Sequence, residues 1–132
     1  MIYLDTSVAV AHLLAEDRHP PDEIWTEVLV SSRLIEYELW TRLHARDLAG
    51  SHGDAARALL GRLAMIELSP TVLARALEPF PIPVRTLDAL HLASADFLRG
   101  QRQTLEIASY DDRMSTAARK MGFTVSKYSA QV

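Results

Sequence analysis

The sequence predicts an α/β fold, a three-layer α/β/α sandwich around a mostly parallel sheet of four to five strands. Short apolar segments alternate with longer segments in which apolar residues recur every three to four positions. This is the pattern of strands that alternate with helices. The 132 residues are 48% hydrophobic, enough to bury a core, and no repeat or low-complexity segment divides them. We therefore expect a single domain over residues 1–132.

The N-terminal part of the chain predicts two strands and two helices. The apolar run Ile2–Leu4 predicts the first strand, and the residues that follow predict a helix over Thr6–Ala15. The pair Pro20–Pro21 ends that pattern and allows a new helical start, because proline is tolerated in a first turn. A second strand is expected within Glu27–Ser31. A long helix is expected over Arg33–Leu48, because its apolar residues recur at four-residue spacing.

Two glycines and two serines organise the middle of the chain. We expect Gly50–Gly53 to form a break, with Ser51 as the N-cap of a helix that runs to about Leu63. The apolar run Met65–Leu68 predicts the third strand. Ser69 is followed by proline, which predicts a capped helix start directly after this strand.

The C-terminal part begins with an extended segment, Glu78–Val84, in which three prolines alternate with other residues. Thr86 is expected to cap a strongly apolar helix over Leu87–Leu98. Three further elements complete the prediction: a strand at Leu105–Ser109, a helix at Asp111–Met121 and an edge-like strand at Phe123–Ser126.

Composition excludes several classes of protein. The chain has no cysteine, which excludes disulfides and thiol chemistry. No run approaches the roughly 20 apolar residues of a membrane span, and no secretory signal is visible, so we expect a cytoplasmic protein without a membrane partner. The net charge of −3 argues against a general nucleic-acid binder with a basic face. That argument weakens if several acids form one cluster that a metal neutralises.

Four acidic residues occupy positions that suggest such a cluster. Asp5 follows the first strand, Asp88 and Asp111 lie at helix starts, and Glu38 flanks the apolar stripe of its helix. In open α/β sheets the carboxyl edge of the strands is where ligands bind. Two carboxylates 4 Å apart repel by about 4 kcal/mol at an effective dielectric constant of 20. All-oxygen ligands without a Cys/His cluster favour Mg²⁺ or Mn²⁺, which can activate a water for phosphodiester cleavage.

Each acid at a helix start also has a simpler interpretation. Asp5 could be only an N-cap, since aspartate is a favoured capping residue. Asp88 suits the positive end of a helix dipole wherever it lies in a first turn. Asp111 and Asp112 could together cap the last predicted helix. Taken singly these residues are weak indications, and it is their joint occurrence in one small α/β chain that predicts a site.

Glu38 and His91 carry alternatives of their own. Glu38 could form an ordinary intrahelical pair with Arg42, worth only about 0.3–0.5 kcal/mol. Glu36 is the nearby competitor for a role in the site, although its spacing places it further from the apolar stripe. His91, one turn after Asp88, could be a ligand, but we favour a core histidine or one that supports a ligand.

Four segments of the chain resemble the PIN-domain ribonucleases, and their order and the chain length resemble the VapC toxins of bacterial toxin–antitoxin pairs. The segments are Tyr3–Ser7, Ser32–Leu39, Leu87–Ala93 and Ser109–Met114. The resemblance covers essentially the whole chain. Its most specific part is Leu-Asp-Ala-Leu-His-Leu-Ala at positions 87–93, preceded by Asp-Thr-Ser near the N-terminus.

The resemblance implies a residue assignment. The catalytic acids would be Asp5, Glu38, Asp88 and Asp111. Asp5, Asp88 and Asp111 would hold the metal, and Glu38 would bind it or orient a water. Thr6 and Ser109 would position a water or an acid, and Asp112 matches a variable family position. Arg85 and Arg113, close in sequence to the acids, could contact RNA phosphate, or form only surface salt bridges.

The resemblance also implies an activity and partners. The expected protein is a Mg²⁺- or Mn²⁺-dependent endoribonuclease that cuts single-stranded RNA and leaves 5′-phosphate and 3′-hydroxyl ends. It would form a homodimer and bind a VapB-like antitoxin whose C-terminal segment covers the active groove. One alternative is a catalytically silent PIN-like module that binds RNA or protein. A phosphatase or phospho-receiver fits less well, because Ser7 breaks an Asp-x-Asp motif and the only lysines are Lys120 and Lys127.

Overall fold

In the computed structural model, which describes residues 1–129, five short strands form one parallel sheet. The strands are β1 (Ile2–Leu4), β2 (Leu29–Ser32), β3 (Ala64–Ile66), β4 (Glu106–Ala108) and β5 (Thr124–Val125). Their order across the sheet is β3-β2-β1-β4-β5, and every neighbouring pair is parallel. The predicted edge position of the last strand is confirmed. Positions 130–132 of the predicted domain lie outside the described residues.

Six α-helices connect or follow the strands. They are α1 (Thr6–Leu13), α2 (Leu34–Ala45), α3 (Ala49–Leu60), α4 (Pro70–Ala76), α5 (Thr86–Gly100) and α6 (Asp112–Lys120). Short 3-10 helices cover Asp22–Thr26, where the sequence predicted a new helical start, and Lys127–Ser129. Ser69 caps α4 as predicted, by accepting a hydrogen bond from the Val72 amide.

The side chains of β1 show how the sheet divides the core into two halves. Ile2 and Leu4 pack with residues of α1, α2 and α3, whereas Tyr3 packs with residues of α4, α5 and α6. Successive side chains of a strand point to opposite faces, so this alternation is what a sheet covered on both faces requires. The predicted three-layer sandwich is confirmed. In residues 1–129, no helix combines the length and the apolar character needed to cross a membrane.

The strand order fixes where a ligand site is expected. β1 lies at the centre, with Tyr3 beside Val30 of β2 and beside Ile107 of β4. From β1 the chain proceeds outward to β2 and β3 on one side, and later returns to β4 and β5 on the other. The direction of winding therefore reverses between β1 and β4. In open α/β sheets the crevice at the carboxyl end of such a pair is the usual binding place.

The predicted break at Gly50–Gly53 is wrong, because α3 begins at Ala49 and contains both glycines. Ser51 is not an N-cap, and its hydroxyl instead donates to the Leu48 carbonyl oxygen at 3.3 Å. A Cβ at Gly53 would lie 3.2 Å from a ring carbon of Trp40 in α2. Packing of α3 against α2 therefore offsets the low helix propensity of glycine, about 1 kcal/mol relative to alanine.

Other boundaries shift by one to three residues. Thr86 is the first residue of α5, and Arg85 is its N-cap without a side-chain capping bond, so the predicted Thr86 cap is wrong. The predicted strand Glu27–Ser31 begins later and ends later, at Leu29–Ser32. Such ends depend on a few hydrogen bonds that propensity does not specify.

Candidate active site

A cleft of about 760 Å³ opens at the carboxyl edge of the sheet, where β1 and β4 end. All four predicted acids line it: Asp5 after β1, Glu38 from α2, Asp88 from the first turn of α5 and Asp111 after β4. The structure therefore brings together residues that are far apart in the sequence, as the prediction required. Thr6 also lines the cleft, whereas Asp112 and Arg113 are exposed and are not among its lining residues.

Asp5 is buried, with 6% of its surface exposed, and it does not cap the helix that it precedes. Its Oδ2 accepts hydrogen bonds from the hydroxyls of Ser7, at 2.6 Å, and Ser109, at 2.8 Å. The Ser109 hydroxyl in turn accepts from the Asp111 amide at 3.0 Å. Two hydroxyls on one carboxylate oxygen fix the orientation of Asp5, so its interpretation as a simple N-cap is wrong.

Glu38 is held by residues of other helices, not by its own helix. Its Oε1 accepts from the Thr6 hydroxyl at 2.8 Å and lies 2.5 Å from Nε2 of His91. The alternative pair with Arg42 does not form within residues 1–129. Glu36, the competitor, instead pairs with Arg33 at 3.2 Å, outside the cleft.

Asp111 combines a capping role with its place in the cleft. Its Oδ1 accepts from the amides of Arg113, at 2.9 Å, and Met114, at 3.2 Å, and so caps α6. The capping interpretation is therefore correct for this acid. Since capping uses only Oδ1, it leaves the other oxygen available.

Asp5, Glu38 and Asp111 share one arrangement of hydrogen bonds. In each carboxylate a single oxygen accepts every side-chain hydrogen bond that the described residues provide: Oδ2 of Asp5, Oε1 of Glu38 and Oδ1 of Asp111. The second oxygen accepts none within residues 1–129. A carboxylate has about four lone-pair sites, so each acid retains acceptor capacity for a ligand.

Asp88 shows the electrostatic consequence of this grouping. Partial burial, followed by repulsion from Asp111 and Asp5, raises the pKa of Asp88 above its usual value. The ionised form of Asp88 is therefore disfavoured in the ligand-free protein. Perturbed acids in a cleft are typical of functional sites.

His91 and Tyr3 lie behind Glu38 and are almost completely buried, at 1% and 0% exposure. The Tyr3 hydroxyl is 2.7 Å from Nδ1 of His91. Burial lowers the pKa of His91, but the hydrogen bond to Glu38 and the nearby charges of Asp5, Glu38 and Asp88 outweigh it and raise the pKa. His91 therefore supports an acid of the cleft and does not line the cleft itself.

Comparison with known proteins agrees with this geometry. The sequence model of the PIN domain matches residues 2–120. The chain belongs to the PIN-domain family. Its PIN domain is 35% identical over 130 residues to ribonuclease VapC46 of Mycobacterium tuberculosis, with 94% of this chain and 95% of that protein covered. It is 32% identical over 130 residues to ribonuclease VapC47 of the same species, with 93% of each chain covered.

A solved structure shows the same fold. VapC20 of Mycobacterium tuberculosis, described as a toxin that cleaves the sarcin–ricin loop, superposes with a TM-score of 0.67 over 100% of both chains at 20% identity. The predicted membership of the PIN-domain ribonucleases of VapC type is confirmed by the family model and the VapC relatives together.

The acids of this PIN domain are of the chemical type that binds a hard divalent cation. They supply only oxygen donors, several negative charges and one acid whose pKa is already raised by its neighbours, and these are the ligands that Mg²⁺ and Mn²⁺ prefer. Their side chains are not as close together as the ligands of a metal site. Within residues 1–129, no three or more acidic or histidine side chains lie close enough together to hold a metal ion.

Three arginines bring positive charge to the rim of the same cleft: Arg18, Arg42 and Arg85. Arg18 is fixed, because it donates to the carbonyl oxygens of Tyr110, at 3.3 Å, and Ser129, at 2.9 Å, and stacks over the Tyr110 ring. Arg85 was predicted from its position beside Asp88, and the structure places it in the cleft.

Sequence reasoning missed three residues that shape the site. Ser7 bonds Asp5, Tyr3 bonds His91, and Arg18 lines the cleft. A signal for Ser7 existed, because a hydroxyl two residues after a strand-end aspartate can reach that carboxylate. No signal in the sequence pairs Tyr3 with His91, since their contact depends on how α5 packs against β1.

Proposed function

We propose that this PIN domain is a divalent-metal-dependent endoribonuclease that acts as the toxin of a toxin–antitoxin pair. The observation that carries the proposal is the convergence of Asp5, Glu38, Asp88 and Asp111 on one cleft at the β1–β4 edge. The free oxygens of three of these acids support a ligand at this place. The relatives named as VapC ribonucleases support RNA as the substrate.

Each acid has a defined part in this proposal. Asp5, Asp88 and Asp111 would hold Mg²⁺, with Mn²⁺ as the alternative ion, and Glu38 would bind it or orient the attacking water through Oε2. Such an ion, when bound, would make a water more acidic and neutralise the charge of the cleft. Thr6 holds Glu38 by its hydroxyl.

The remaining hydroxyls orient an acid of the cleft, and the arginines on its rim would bind RNA. Ser7 and Ser109 hold Asp5 by two hydrogen bonds, so that its free oxygen keeps one direction. Attack of water on the phosphodiester leaves 5′-phosphate and 3′-hydroxyl ends. Arg42 and Arg85 on the rim would contact phosphates of single-stranded RNA on either side of the bond that is cut.

The cellular setting follows from the family and extends the proposal. We place the protein in the cytoplasm, as a homodimer that a VapB-like antitoxin silences by covering the cleft. A partner that covers an acidic cleft would do so with basic side chains, since opposite charges favour docking. Co-expression with the antitoxin should therefore abolish cleavage and protect the cleft.

A catalytically silent module that binds RNA or protein is the second candidate. The observation in its favour is that the acids of residues 1–129 do not already form a three-ligand site. The two candidates differ in metal dependence. A silent module needs no divalent ion, whereas the nuclease must lose activity with EDTA and recover it with Mg²⁺ or Mn²⁺.

Cleavage of a pool of random single-stranded RNA, labelled for fluorescence, tests the proposal. Wild type should cut with Mg²⁺ and not with EDTA, and Asp5→Asn should lose about 100-fold or more in rate. Asparagine keeps a carbonyl oxygen for the two serine hydroxyls, so this variant should fold. Asp54→Asn is the matched control, because Asp54 is exposed, pairs with Arg57 and does not line the cleft. Equal rates for wild type and Asp5→Asn would overturn the assignment.

A further inference from the structure

A chain of hydrogen bonds runs from the interior of the protein to the edge of the cleft. It begins at Tyr3 of β1, passes through His91 of α5 and ends at Oε1 of Glu38 in α2, where the hydroxyl of Thr6 joins it. Tyr3 and His91 are 0% and 1% exposed, so neither can touch a substrate in the cleft. They reach the cleft through Glu38 and through Thr6, whose hydroxyl lies 3.2 Å from Nε2 of His91 and itself bonds Glu38.

We propose that Tyr3 and His91 are positioning residues that hold Glu38 in one orientation, with Oε1 occupied and Oε2 presented to the cleft. This inference rests on the proposed function, in which Glu38 acts on the attacking water or the ion. It adds that two residues which contact neither substrate nor ion determine how well Glu38 does so.

The hydrogen-bond chemistry assigns the protons along this chain. An ionised Glu38 can only accept, so Nε2 of His91 must carry a hydrogen and donate it to Oε1. When the ring is neutral, Nδ1 then accepts, and the Tyr3 hydroxyl at 2.7 Å is its donor. A tyrosine hydroxyl keeps its proton at neutral pH and can therefore donate. Glu38 and Tyr3 therefore favour the same tautomer of His91, and Tyr3 satisfies the ring nitrogen that faces away from Glu38.

Glu38 needs such support because of its place in the fold. It lies on α2, in the helical layer on one side of the sheet, whereas His91 lies on α5, in the layer on the other side. Its side chain is 20% exposed and has three rotatable torsions, so a glutamate without partners would sample several directions. The two donors on Oε1, at 2.5 and 2.8 Å, restrict it to one.

A purely structural role for this network is the competing explanation, and kinetics separate the two. A network that only satisfies buried polar groups would change stability and leave the rate constants of the folded enzyme unchanged. A positioning network changes kcat, because Glu38 acts in the reaction, and leaves KM nearly unchanged, because Glu38 does not bind the RNA chain.

Four variants make this test. His91→Leu removes the donor at similar volume, and should reduce kcat by about 10- to 100-fold with KM within threefold of wild type. His91→Gln restores an amide donor near the position of Nε2 and should recover most of the loss. Tyr3→Phe should reduce kcat by a smaller factor. Tyr128→Phe is its matched control, because this buried tyrosine also bonds a glutamate, Glu27 at 3.2 Å, outside the cleft.

Nitrogen-15 NMR of labelled histidine gives a second readout that does not depend on RNA cleavage. In wild type, His91 should carry a hydrogen on Nε2 that exchanges slowly with solvent. In Tyr3→Phe the Nδ1 resonance should shift, because Nδ1 loses its hydrogen-bond donor, whereas in Tyr128→Phe it should stay as in wild type. A His91 ring with a bare Nε2 in wild type would overturn the inference whether or not the protein cuts RNA.

The outcomes also distinguish this inference from the proposed function. If Asp5→Asn abolishes cleavage while His91→Leu, still folded, cuts like wild type, the nuclease assignment stands and the positioning role is wrong. If Asp5→Asn cuts like wild type, the proposed function fails, and the NMR tautomer alone then decides whether Tyr3 and His91 hold Glu38. Loss of kcat in His91→Leu without recovery in His91→Gln would also count against positioning.

Discussion

Two aspartates on the same helix experience opposite electrostatic environments. Asp88 in the first turn of α5 faces other acids, and burial together with Asp111 and Asp5 raises its pKa. Asp96, further along α5, is also partly buried, but the hydrogen bonds and charges of Arg75 and Arg99 outweigh that burial and lower its pKa. The fold thus neutralises the carboxylate of Asp96, which supports packing, with two arginines, whereas it leaves Asp88 in the cleft beside other acids.

Both carboxylate oxygens of Asp96 accept a hydrogen bond from an arginine. Arg75 Nε donates to its Oδ2 at 2.8 Å and Arg99 Nη2 to its Oδ1 at 2.7 Å. Both guanidinium groups also lie over aromatic rings, of Phe80 and Phe123. These contacts join α4, α5 and the loop before β5, so the cluster supports the fold. No arginine or lysine forms a salt bridge with the four acids of the cleft within residues 1–129, which is the reason to assign them to a ligand.

The largest expected effect is on activity at Asp88. Asp88→Asn should lower RNA cleavage by about 100-fold or more, because it removes a proposed ligand from a charged site. Asp96→Asn should leave the cleavage rate of the folded protein within about threefold of wild type. Both rates are measured on the same RNA pool well below the melting temperature. Similar losses in the two variants would contradict the separation of roles.

The next effect is stabilisation by a divalent ion. An ion that binds only the folded protein at 100 times its Kd adds about 2.7 kcal/mol to the free energy of unfolding. Thermal melts with Mg²⁺ or Mn²⁺ should therefore show a rise in Tm in wild type and in Asp96→Asn. Asp5→Asn should show little or no rise. An equal rise in Asp5→Asn would place the ion elsewhere.

A smaller effect is on stability, where replacing Asp88 and replacing Asp96 by asparagine should have opposite consequences. Asp96→Asn should lower the free energy of unfolding by about 1–2 kcal/mol, since it breaks a partly buried, doubly bonded carboxylate. Asp88→Asn should raise the free energy of unfolding in EDTA, because the ionised acid is disfavoured there. Chemical denaturation of both variants measures this. A destabilised Asp88→Asn would show that the helix dipole outweighs repulsion.

The smallest effect is a difference in pH dependence. The pKa of Asp96 is lowered, so its stabilisation is present above its unfolded pKa of about 3.9 and is lost as pH falls through the lower folded value. The pKa of Asp88 is raised, so ionised Asp88 lowers the free energy of unfolding at neutral pH. This destabilisation disappears as pH falls through the raised pKa. In EDTA, wild type should therefore gain stability relative to Asp88→Asn on mild acidification. If the free energy of unfolding changed with pH in the same way in both proteins, repulsion of Asp88 by Asp111 and Asp5 would be contradicted.

Strong local signals made the sheet, the layers and most helices predictable from sequence. Apolar runs such as Ile2–Leu4 and capped starts such as Ser69 specify their elements locally, and the structure confirms both. The helix through Gly50 and Gly53 was not predictable, because its reason lies in the contact with Trp40 of another helix. Propensity describes one segment at a time, whereas that packing involves two.

The same division holds for the site. Strand ends and helix starts in the sequence predict that Asp5, Asp88 and Asp111 lie at one edge of the sheet, and the structure brings them to one cleft. The hydrogen bonds that orient the acids could not be predicted from sequence. The bond between Ser109 and Asp5, for example, joins the end of β4 to the end of β1. Arg113 was placed near the acids by sequence proximity, but its exposed side chain does not line the cleft.

The central place of β1 has a consequence for how the cell makes this protein. β1 is translated before the other strands, yet its partner β4 and the neighbouring Asp111 come only after residue 105. A nascent chain on the ribosome therefore has no complete acidic cleft until Asp111 has been translated. Before that point the proposed site lacks one of its four acids, so we expect no cleavage of the RNA of the ribosome that makes it.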